Sequence, residues 1–162
     1  MVKGAPGQRR GLLALVGAVA ATALISFTPA FEGTELSTYR DMGGVLTYCT
    51  GATENAAWGK TYTPAQCRAQ LDRDLERHAA GIAMCIPLAR LTDGQKVAFV
   101  DVAYNIGVSG FCRSSMARRT NEGDMVSACN ALLMWNKVGG KEVRGLTRRR
   151  HAERELCLKG LS

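Results

Sequence analysis

The chain has 162 residues, the length of one domain rather than two. Its 21 Lys and Arg residues outnumber 14 Asp and Glu residues, giving a formal net charge of +7. A moderately basic surface suits an acidic wall polymer, anionic lipid or nucleic acid. The basic residues are interspersed with acids and no recognition motif accompanies them, which argues against nucleic acid.

The first element is a run of twenty-one uncharged residues, 11–31, preceded by Lys3, Arg9 and Arg10. Basic residues before an apolar stretch are the arrangement of a chain whose N-terminus stays in the cytoplasm. At about 1.5 Å per residue the run is long enough for a hydrocarbon layer of roughly 30 Å. Six alanines, two glycines, two threonines and a serine make it a weak anchor, and Pro29 is expected to end its helix near the outer interface. Four readings compete: a signal peptide cleaved near Ala30, a permanent anchor, a segment that inserts and later leaves the bilayer, and a helix of the domain's own core. Length and composition together favour the third. The chain then divides into a basic start with a weak membrane segment, 1–31, and a catalytic domain, 32–162.

Beyond that segment, Glu32 to Leu36 reads as a short helix. Gly43 and Gly44 lie between Tyr39 and the run Val45-Leu46-Thr47-Tyr48, which predicts a hairpin, and residues 51–60 continue as turns. Thr63-Pro64-Ala65-Gln66 is a capping box with proline at the first helical position. Cys67, Leu71, Leu75 and Ile82 then carry an apolar rhythm through a helix of about five turns. Thr92-Asp93-Gly94-Gln95 opens a second capped helix through an apolar run to Gly107. Helices are expected over Phe111–Thr120 and Asp124–Trp135, a break at Gly139-Gly140, and a last basic helix reaching Leu158. The pattern is α+β: a small lobe with a β-hairpin, joined by a long helix to an all-helical lobe.

Six cysteines stand at 49, 67, 85, 112, 129 and 157, with no close pair and only two histidines in the chain. That spacing disfavours a metal site and suits three disulfides in an oxidising compartment.

The candidate chemistry lies in Glu32, Asp41 and Thr47. Glycoside hydrolysis needs one carboxyl group that gives a proton to the leaving oxygen and a second that stays charged. Glu32 follows an apolar segment that would help it keep its proton. Asp41, on a turn beside Arg40, suits the charged role, and the Thr47 hydroxyl can orient a water.

The run Glu32-Gly33-x5-Tyr39-Arg40-Asp41-x-Gly43-Gly44-x2-Thr47 resembles the active-site signature of the bacteriophage-type lysozymes. The resemblance continues through Gly59-Lys60-Thr61-Tyr62-Thr63, through Phe99-x4-Tyr104-Asn105-x-Gly107, and through Gly145-Leu146-x2-Arg149-Arg150-x2-Glu153-x3-Cys157. It implies a two-lobed lysozyme fold and a muramidase that cuts peptidoglycan between N-acetylmuramic acid and N-acetylglucosamine without a cofactor or metal. Glu32 would be the general acid, and Asp41 and Thr47 would hold the water, with inversion expected. Tyr104, Asn105, Arg148 and Arg149 are the candidate substrate contacts. Of the arginines, Arg148 or Arg149 is expected to face the cleft; Arg150 with Glu153 or Glu155 can equally form helix-surface pairs. On this map Cys49–Cys67 would close the small lobe, Cys129–Cys157 would join two helices of the large one, and Cys85–Cys112 would remain, one connectivity among fifteen.

The chain also resembles the signal-anchor-release endolysins, which implies a monomer held at the host inner membrane through residues 11–31, facing the periplasm, and later released into it. Residues 11–31 contain no cysteine, so restraint by position fits better than caging by a disulfide. The alternatives are a lytic transglycosylase, which has no use for a positioned water, and an exported wall-binding module without catalysis.

Overall fold

The buried face of the N-terminal segment repeats every four residues. Leu12, Val16, Ala20, Leu24 and Thr28 are all 0–2% exposed. In this computed structural model, which describes residues 11–159, they lie on two helices, α1 (Leu12–Val16) and α2 (Ala18–Glu32). The bend between them falls at Gly17, whose φ of 86° and ψ of 166° are closed to residues with a side chain. The segment packs against the large-lobe core, so a helix of the domain's own core describes this folded form. No helix among the described residues is long and apolar enough to cross a membrane.

Two local expectations are corrected here. Pro29 does not end the helix; α2 runs on to Glu32 and closes with the Gly33 amide on the Pro29 carbonyl at 2.8 Å. A proline in the last turn removes one donor, and the side chains of Thr28 and Glu32, both bonded to the large lobe, hold that turn. Residues 32–36 are not a short helix either. Strand β1 (Glu35–Arg40) begins there and pairs antiparallel with β2 (Leu46–Cys49), so cross-strand pairing overrides local propensity.

The hairpin and the loop after it form the small lobe, whose core is Tyr48, Cys49, Ala52 and Cys67. The rings of Tyr48 and Tyr62 stack at 4.5 Å. Helix α3 (Pro64–Ile82) starts at the Thr63 capping box, with both reciprocal bonds made at 2.8 and 3.1 Å. It joins the lobes through its own side chains. Cys67 belongs to the small core, while Leu71, Leu75, Ala79 and Ile82 belong to the large one.

In the large lobe α4 (Asp93–Ile106) is buried on every side from Val97 to Ala103. Around it lie α5 (Val108–Cys112), α6 (Ser115–Asn121), α7 (Met125–Ala131) and α8 (Arg144–Leu158). The helix expected over Phe111–Thr120 is thus two, divided where Ser114 caps the second by accepting from the Ala117 amide. The helix expected to reach Trp135 stops at Ala131, followed by a short 3₁₀ turn. At Gly139-Gly140 the chain makes a two-residue turn with both φ angles positive, linking β3 (Lys137–Val138) and β4 (Lys141–Glu142). Disulfides join Cys49 to Cys67, Cys85 to Cys112 and Cys129 to Cys157, with S–S distances of 2.02–2.14 Å.

Candidate active site

Glu32 is the last residue of α2, and four residues after Thr28 it continues the stripe that faces the large lobe. Its side chain is 23% exposed and accepts from Arg149 Nη1 at 2.5 Å. Arg149, on α8, is 3% exposed and also grips Asp101 of α4 with Nε at 2.8 Å and Nη2 at 3.0 Å. A two-pronged guanidinium–carboxylate pair is geometrically fixed. Because Asp101 already balances the guanidinium charge, Glu32 meets a donor that is held rigidly and is electrically compensated. Phe31 covers the same guanidinium, its ring centre 5.7 Å away.

Burial opposes the charge on Asp101, yet the hydrogen bonds and charge of Arg149, with the bond from Thr28, hold its pKa below the ordinary carboxylate value. Burial likewise opposes the charge on Arg149, and bonding to Asp101 outweighs it, so the guanidinium is held more firmly protonated. Glu153 is wholly buried, neither of its carboxyl oxygens makes a hydrogen bond, and its pKa is raised well above the usual range, first by burial and then by the neighbouring Asp101 carboxyl group. Arg150, also fully buried, lies 3.0 Å from Glu153 Oε2 and donates to Asn105 Oδ1 at 3.0 Å. The pair Arg150–Glu153 is thus an interior one rather than a helix-surface one.

Asp41 opens the turn of the β1–β2 hairpin. Its Oδ1 accepts from the Gly43 amide at 2.9 Å and the Val45 amide at 2.8 Å, an arrangement that suits a carboxylate acceptor. Thr47, 3% exposed, donates to the Val45 carbonyl at 2.9 Å. Its cross-strand partner is Tyr39. Burial, then the charges of Glu32, Glu35 and Asp41, raise the Tyr39 pKa. Tyr39 therefore feels the charge of both proposed carboxylates and lies opposite Thr47 across the hairpin.

Of the remaining candidates, Tyr104 donates its hydroxyl to the Thr50 carbonyl, joining α4 to the small lobe. Burial, then Asp74 and Glu32, push its pKa upward, so the hydroxyl stays a donor. Asn105 is turned toward Arg150. Arg148 is exposed, one position from buried Arg149. Asp101, Thr28 and Tyr39 were not singled out from sequence as site residues. Two of them carried a readable signal: Tyr39 stands within the signature run, and Thr28 lies one helical turn before Glu32. No cluster of His, Cys, Asp and Glu among the described residues has the geometry of a metal site.

The phage lysozyme family model matches residues 29–153, from the last turn of α2 to Glu153. The SAR-endolysin of Bacteriophage PS119 is 37% identical over 164 aligned positions, covering 96% of each chain. The solved structure of a P22 lysozyme mutant is 30% identical, with a TM-score of 0.75 over 85% of this chain and 96% of that one. The active form of P1 phage endolysin Lyz shares the fold, with a TM-score of 0.81 at 23% identity over 97% and 98% of the two chains. The chain belongs to the phage lysozyme family, and with it to the endolysins that hydrolyse peptidoglycan.

Proposed function

We propose that the chain cuts the β-1,4 bond between N-acetylmuramic acid and N-acetylglucosamine, with Glu32 as general acid and Asp41 and Thr47 holding the hydrolytic water. The observation that carries this reading is the seating of Glu32: an acid at a helix end, partly exposed and held on Arg149, in a chain whose hairpin turn carries a second carboxylate. Asp41 uses Oδ1 for the turn, which leaves Oδ2 to direct a water toward the opposite face of the sugar. A water between the two carboxyl groups leads to inversion. Tyr104, Asn105 and Arg148 are the proposed sugar contacts, and Arg149 acts on the substrate through Glu32.

Residues 11–31 are proposed to export the chain as a weak membrane span at the host inner membrane and to leave it intact, as the relative's name, SAR-endolysin, suggests. While the span is in the bilayer, Glu32 is confined near the headgroups, since a charge in hydrocarbon is costly. It cannot then take its place on Arg149.

The test is Glu32→Gln, which keeps the shape and removes the transferable proton. Turnover of purified peptidoglycan should fall by about a thousandfold or more, with thermal unfolding little changed. Retained turnover would overturn the assignment and favour a wall-binding module.

A further inference from the structure

Thr28 lies in the N-terminal segment, outside the family match, and is wholly buried. A threonine inside a helix ordinarily satisfies its hydroxyl on the carbonyl one turn back, as Thr120 does on the Met116 carbonyl at 2.8 Å. Thr28 does not. Its Oγ1 reaches out of α2 and donates to Asp101 Oδ1 at 2.7 Å.

Asp101 Oδ1 is the same oxygen that receives Arg149 Nη2, and Oδ2 receives Arg149 Nε. Arg149 Nη1 in turn holds Glu32. The bonds thus close a ring: α2 gives Thr28 to Asp101 on α4, Asp101 holds Arg149 on α8, and Arg149 returns to Glu32 on α2. With one end of the guanidinium clamped, its remaining nitrogen has one direction left, and Glu32 stands there.

We infer that Thr28 is a positioning residue for Glu32, acting through Asp101 and Arg149. The inference rests on Glu32 being the acid. It also gives the exported segment a part in the site beyond delivering Glu32, because the residue that locks the clamp travels with it. Positional errors of about 1 Å at a reacting group are enough to cost large factors in rate.

The experiment compares Thr28→Val, which keeps the volume and loses the donor, with Thr28→Ser, which keeps the donor. On solubilised peptidoglycan chains, Thr28→Val should lower kcat about tenfold with KM within twofold of the parent, and Thr28→Ser should restore kcat to within about threefold. In an Asp101→Asn background, Thr28→Val should cost less than about twofold more, since the link it breaks is already altered. Thr28→Ala, which only removes atoms, gives the same comparison if the valine variant does not fold. A purely structural threonine gives the opposite outcome: unchanged kcat with lower thermal stability, or additive losses with Asp101→Asn, and either result would overturn the inference. An inactive Glu32→Gln beside a fully active Thr28→Val sinks the inference alone. An active Glu32→Gln sinks the acid assignment beneath it.

Discussion

Around Arg149 and Arg150 three carboxyl groups crowd together, those of Glu32, Asp101 and Glu153. Two cations thus share the interior with three titratable acids. Ionising Glu153 would add a third negative charge to an interior with little water to screen it. The pKa of Glu153 is raised by folding, so between the ordinary glutamate value, about 4.3, and its raised value the folded chain binds more protons than the unfolded one. Stability therefore falls as pH rises through that window. Asp101 has the opposite sign: its lowered pKa supports the fold above about pH 3.9, and that support is lost as pH falls through its depressed value. Glu153→Gln keeps the shape of the side chain and cannot ionise. Thermal melts from pH 4 to 8 should show the glutamine variant gaining on the parent steadily as pH rises. A difference between the two that does not move with pH would mean that folding does not raise the pKa of Glu153.

At the scale of elements, α1 and α2 have two faces with different demands. Leu12, Val16, Ala20, Leu24 and Thr28 face the core, while Ala14, Ala18 and Thr22 are exposed. Larger side chains at the exposed positions leave the folded packing alone and make the span more apolar, each leucine being worth about 0.5 kcal/mol at the centre of a membrane helix. The triple variant Ala14→Leu, Ala18→Leu, Thr22→Leu should therefore stay with the inner membrane and delay lysis, while the purified folded form turns over as the parent does. Mass spectrometry of the periplasmic parent should find residues 11–31 still attached. Undiminished lysis from the leucine variant, or a mature N-terminus at Phe31 or Glu32, would contradict release of an intact segment. The buried face also accounts for the composition. Alanine at 20 and glycine at 17 weaken a membrane span, and the folded form requires both: Ala20 is wholly covered, and Gly17 makes the bend between the helices.

Across the whole molecule, much of the two-lobed plan was legible. The Thr63 and Thr92 capping boxes mark where α3 and α4 begin, and the apolar run through α4 suits a helix buried on most of its sides. The polar interior was not legible. Asp101 stands between Val100 and Val102 in that apolar run, with no local feature to name its partners. Its partners Thr28 and Arg149 lie 73 and 48 residues away along the chain. Arg150 and Glu153, three apart on a helix, have the spacing of a solvent-exposed pair, and only the packing of α8 against α4 takes them inside. The run to Glu32 likewise reads as a membrane span because its one buried polar contact needs a partner from another helix.

These scales meet in the bond that is cut and the way it is cut. Digestion of purified peptidoglycan by the folded enzyme, followed by mass spectrometry of the released fragments, reads both at once. An acid with a positioned water should leave every new end as a reducing N-acetylmuramic acid carrying one added water. Fragments ending in 1,6-anhydro-N-acetylmuramic acid would show that no water is held opposite Glu32, and reducing N-acetylglucosamine ends would show that the other glycosidic bond is cleaved.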